Sequence, residues 1–136
     1  MSATTAAPAG RLLLVEPQFV LRRTVSLMAR DMGLAEVLEA TSPALAERLL
    51  REQRFDALLI ALDEAGEALT LMERLRAGAS AQPSDLPIAA TAASCDVELA
   101  LRLKELDVCR LLLKPFKVRG MLDVIAALGA PGTSAE

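Results

Sequence analysis

Five short apolar runs alternate with five segments of helical periodicity, which predicts a three-layer α/β sandwich: a doubly wound (βα)5 fold with one parallel sheet. Two further observations support this. The runs RLLLVE (11–16), FDALLIAL (55–62) and CRLLLK (109–114) are nearly continuous apolar stretches rather than alternating ones, as strands covered on both faces must be. The chain has 136 residues, enough for one domain that buries about two-thirds of its unfolded surface.

The elements follow in order. Residues 1–10 are small and polar, with Pro8 and Gly10, and are expected to form a loose, disordered tail. The first strand, 11–16, leads into a helix over 17–32. There Leu21, Val25, Met28 and Met32 form one stripe, Pro17 suits the first turn and Gly33 the left-handed stop. EVLEAT (36–41) is the second strand. Ser42 caps a helix that has Pro43 at its first position and runs to about Gln53. The third strand, 55–62, is followed by a helix over 64–77. GASAQPSDLP (78–87) is a loop, and PIAAT (87–91) is the fourth strand. Ser94 or Asp96 caps the fourth helix, 97–107. The fifth strand, 109–114, turns through Pro115 and Phe116 into a helix over 118–128, with Val118, Met121, Leu122, Ile125 and Leu128 on one face. Residues 130–136 are expected to be a second disordered tail, leaving 11–129 as the domain.

Composition removes several classes of function. The chain has no histidine, tryptophan or tyrosine, so imidazole bases, histidine-ligated metals and aromatic base-stacking platforms are excluded. A net charge of −3 with scattered Lys and Arg argues against nucleic acid and against a membrane surface. Cys95 and Cys109 form no CxxC motif and read as reduced thiols, and MSATTAAPAG does not read as a secretory signal. The chain is therefore expected to be cytoplasmic.

Right-handed crossovers give strand order 2-1-3-4-5, the flavodoxin-like arrangement, with chemistry at the carboxyl ends of the strands. That edge gathers Glu16, Pro17, Ala61, Leu62, Asp63, Thr91, Ala92 and Lys114 around one crevice.

Over residues 11–129 the chain resembles the receiver domains of two-component response regulators. LLLVEP stands where the family has a strand ending in two acids. FVLRRTVSLMARDMG is similar to its first helix. PIAATA is similar to the strand ending in Thr or Ser followed by Ala, and LLLKPF to the last strand with its Lys-Pro-Phe end. The resemblance implies a bacterial signalling role. It also implies a family chemistry in which two acids and an acceptor aspartate hold Mg²⁺, the aspartate takes a phosphoryl group, and a lysine and a hydroxyl stabilise it.

Carried over by position, only part of that set survives. Glu16 holds the first acidic place, and Pro17 stands in the second. Ala61 stands in the acceptor place, Thr91 and Lys114 keep the hydroxyl and the ammonium, and Leu111 replaces the aromatic switch. The resemblance also implies a cis Lys114–Pro115 bond. The expectation is a degenerate pseudo-receiver with no catalytic residue, metal or cofactor, in which Glu16 and Lys114 pair across the site. Thr91 then serves only the backbone at its strand end. The alternative is an active receiver using Asp63 as a displaced acceptor with Mg²⁺. Asp63 is equally placed to cap the third helix. Arg22 and Arg23 read as a solvated helix face.

A module without chemistry works through its surface. The fourth helix carries two apolar sides, Val97 with Leu101, and Leu99 with Leu103 and Leu106. Leu99, Leu103, Leu106, Leu111 and Met121 are the expected interaction face. The partner is expected to be a protein (a histidine kinase, a regulator or an effector), or a second copy bound through the fourth helix, fifth strand and fifth helix. Only residues 130–136 follow the receiver-like region, so the chain either acts alone on other proteins or is a piece of a longer one.

Overall fold

The computed structural model describes residues 10–129. Apart from Gly10, the two expected tails lie outside the described residues. The chain alternates β1 (Arg11–Val15), α1 (Phe19–Asp31), β2 (Glu36–Ala40), α2 (Pro43–Glu52), β3 (Ala57–Ala61), α3 (Glu67–Arg76), β4 (Ile88–Ala92), α4 (Val97–Glu105), β5 (Arg110–Leu113) and α5 (Val118–Leu128). All strand pairs are parallel and the sheet order is β2-β1-β3-β4-β5, as the sequence predicts.

The continuous apolar runs have a direct physical reason. Successive side chains of a strand point to opposite faces, and both faces of this sheet are packed. Leu13, Val15, Leu58, Ile60 and Ile88 face α2, α3 and α4, while Leu12, Leu14, Leu59 and Ala89 face α1 and α5. No helix among the described residues is long and apolar enough to cross a membrane.

Three helix details differ from the sequence reading. α1 starts at Phe19 rather than Pro17, because the Glu16 carboxylate accepts the Gln18 N–H at 2.9 Å and holds the chain extended there. α3 starts at Glu67, after a turn in which Gly66 adopts φ 79° and Asp63 takes the first helix amides. The stripe expected of α1 is rotated. Arg22, Val25, Ser26 and Ala29 face inward, whereas Met28 and Met32 are exposed. Small Ser26 and Ala29 permit close approach to the sheet, and the inward Arg22 has an acid to meet. At α4 it is Asp96, not Ser94, that caps, accepting the Leu99 N–H at 2.8 Å.

The loop over 78–87 is held by two side chains. Buried Gln82 accepts the Phe55 N–H at 3.0 Å and donates to Leu50 O at 2.8 Å and to Gln53 O. Arg76 donates to the carbonyls of Leu106, Ser84 and Leu86 at 2.7–2.8 Å, joining α3 to the turns around it.

Candidate functional site at the carboxyl edge of the sheet

Glu16, Ala61, Thr91 and Lys114 each follow by two residues a side chain packed toward α1 and α5: Leu14, Leu59, Ala89 and Leu112. Strand parity therefore turns all four to the same face. The register sets them in a row. Ala61 lies beside Thr91 and Thr91 beside Leu112, while the Val15–Ile60 pairing puts Glu16 next to Ala61. Lys114 projects two residues beyond Leu112.

Glu16 is 2% exposed and anchors the edge. Its Oε2 accepts the Gln18 N–H, its main-chain carbonyl accepts from Arg22 at 2.9 Å, and its Oε1 lies 3.0 Å from the Lys114 Nζ. Oε1 has no hydrogen bond of good geometry, so its contact with Lys114 is a charge–charge pair at short range. The Lys114 backbone N–H donates to Ala92 O at 2.8 Å, and the Lys114–Pro115 peptide is cis. Beneath the pair, Ala61 is 8% and Thr91 2% exposed. The Thr91 hydroxyl is buried without a hydrogen-bond partner, so it does not satisfy backbone at the strand end as expected.

The other site residues are placed apart from this row. Pro17 is exposed and offers no acid. Asp63 is exposed and turned to the start of α3, where Oδ1 accepts the Ala68 N–H at 2.9 Å and Oδ2 the Glu67 N–H at 3.2 Å. Leu111 packs into the cluster under α2, α3 and α4.

These residues do not fit Mg²⁺. The ion takes a near-octahedral oxygen shell, usually with one or two carboxylates. Here one carboxylate remains, with one oxygen on an amide and the other on an ammonium. No group of three His, Cys, Asp or Glu side chains that could hold a metal occurs among the described residues.

The expected interaction face is corrected by burial. Leu103 and Leu106 belong to the core between α4 and the sheet, Met121 belongs to the core under α5, and Leu99 and Leu111 are partly buried. The exposed apolar residues of this region are Val97 at 76%, Leu101 at 57% and Leu113. Both stripes of α4 have helical spacing, and the sheet takes the longer one. A second exposed apolar group lies on α1: Phe19, Val20 and Leu27, with Met28 of the expected stripe.

Sequence reasoning also missed a charge cluster. Arg22 is buried and donates to Glu39 at 2.9 Å, and Arg23 pairs with the same carboxylate. Burial works against ionisation of Glu39, but the nearby Ser26 hydroxyl and the Arg22 and Arg23 guanidiniums that bond it outweigh burial and hold its pKa below the usual carboxylate value. The signal was an acid at an inner position of a short strand opposite two adjacent arginines.

Solved structures share this architecture. The non-phosphorylated HemR receiver domain of Leptospira biflexa matches at 26% identity and TM-score 0.74, covering 89% of this chain and 97% of that one. An orphan response regulator of H. pylori matches at 17% identity and TM-score 0.76, covering 90% and 98%. The fold is that of response-regulator receiver domains. The receiver domain of a Pseudomonas aeruginosa sensor histidine kinase, solved with magnesium in its active-site cleft, matches at 23% identity and TM-score 0.70 over 90% and 99%. No protein-family model matches the chain, and no curated protein does.

Proposed function

We propose that this chain is a receiver-type module of two-component-type signal transduction that is not phosphorylated and acts by binding another protein. The observation that carries the reading is the Glu16–Lys114 pair closing over Ala61. A methyl group offers no nucleophile at the acceptor place. The ammonium that would neutralise a phosphoryl oxygen is already engaged by buried Glu16, and a buried anion needs a cation. No catalytic residue is assigned.

The second reading, phosphorylation at Asp63, has less support. Both Asp63 oxygens are used by α3 amides, and neither faces Lys114 in an ion pair. The experiment is incubation with Mg²⁺ and acetyl phosphate, followed by intact mass. The expected result is no phosphoryl adduct. An adduct that disappears in Asp63→Asn establishes the second reading instead.

The partner is a histidine kinase, regulator or effector protein, engaged through the α4–β5–α5 side. Its exposed apolar residues there are Val97, Leu101 and Leu113. Self-association through the same side is the competing arrangement, and light scattering on wild type and Leu101→Glu separates the two.

A further inference from the structure

We infer that the Glu16–Lys114 contact is a latch across the sheet that requires a small, uncharged residue at position 61, so an acceptor carboxylate there and the latch exclude each other. β1 and β5 are not neighbours, since β3 and β4 lie between them. Three strand spacings separate their backbones by roughly 14 Å. Glu16 and Lys114 sit on one face with Ala61 and Thr91 between them, so side chains that meet at 3.0 Å must pass over both. Ala61 and Thr91 beneath the contact are both nearly completely buried.

The latch continues past the pocket. Glu16 holds the Gln18 N–H with its second carboxylate oxygen and Arg22 with its main-chain carbonyl. Arg22 in turn bonds Glu39 on β2, and its guanidinium lies 5.5 Å from the centre of the Phe19 ring. Lys114 is thus tied, through one buried acid, to the start of α1 and to the exposed side chain of Phe19. An aspartate at position 61 would place a second acid between Glu16 and the single ammonium. The two carboxylates repel in a site with little water, and only one can keep Lys114. Restoring the acceptor therefore releases Glu16 and loosens α1, rather than simply recreating a receiver site.

Amide hydrogen exchange by NMR tests this in the full chain, with Leu58 in β3 as the internal reference for global stability. In Lys114→Met, the Gln18 amide, three strands away, is expected to exchange about tenfold faster while Leu58 keeps its protection relative to global unfolding. Ala61→Asp is expected to do the same, and Ala61→Ser to leave Gln18 unchanged. Ala61→Asn separates charge from size if Ala61→Asp folds poorly. The latch is refuted if Lys114→Met alters exchange only around residues 113–117, or if Ala61→Asp leaves Gln18 as protected as in wild type. Neither result depends on whether Asp63 can be phosphorylated, which the mass measurement decides separately.

Discussion

Asp63 and Glu16 are both acids just past the end of a strand, and their neighbours give them different tasks. Asp63 meets the free amides of a helix start, which a carboxylate satisfies well. Asp63→Ala is expected to cost about 1 kcal/mol in urea unfolding, the usual range for a lost cap. Glu39 shows a different effect. Its pKa is depressed in the fold, so its stabilising contribution is complete above the ordinary carboxylate value of 4.5 and is lost as pH falls through the folded value. Glu39→Gln is therefore expected to be less stable than wild type at neutral pH. The gap should narrow as the pH falls below 4.5, as read from urea midpoints at neutral and at acidic pH. An unchanged gap would mean that Arg22 and Arg23 draw little from the charge.

At the scale of elements, α4 and α1 illustrate one problem. Each is apolar on more than one side, so periodicity alone cannot choose the side that faces the sheet. In α4 the sheet takes Leu103, which is 4% exposed, and leaves Leu101 outside. Leu103→Ala is expected to lose about 2–4 kcal/mol through a cavity, whereas Leu101→Glu should stay within about 0.5 kcal/mol of wild type. Thermal and urea unfolding of the two variants checks the assignment, and a reversed order would mean that α4 docks by its other stripe. In α1 the inward side includes an arginine, an arrangement that a purely apolar stripe search passes over. The loop over 78–87 has the same lesson, since buried Gln82 and the Arg76 guanidinium bond carbonyls and an amide from distant segments.

For the whole molecule, a ligand that binds only the folded state raises its melting temperature. Millimolar Mg²⁺ with beryllofluoride is expected to leave the Tm of this chain unchanged, because Glu16 is engaged at both oxygens and Asp63 is turned to the first amides of α3. A clear rise would show that the edge still accepts a metal and a phosphoryl mimic, and would favour Asp63 as acceptor.

The number of elements, their order and the parallel sheet were legible because they rest on local patterns: apolar runs of strand length, helical spacing, Ser42 before Pro43, and Gly33 after a helix. That the third strand ends on Ala61, with Asp63 two residues beyond it, was legible too. The sequence by itself thus determined the architecture and which residues stand at the carboxyl edge of its strands. Only the tertiary structure decided which stripe of α4 is buried, that Arg22 turns inward to Glu39, and that Glu16 and Lys114 close over Ala61 from strands that never pair. The physical reason is range. Periodicity records how a segment meets its immediate surroundings, whereas these contacts join segments that are brought together only when the sheet is assembled.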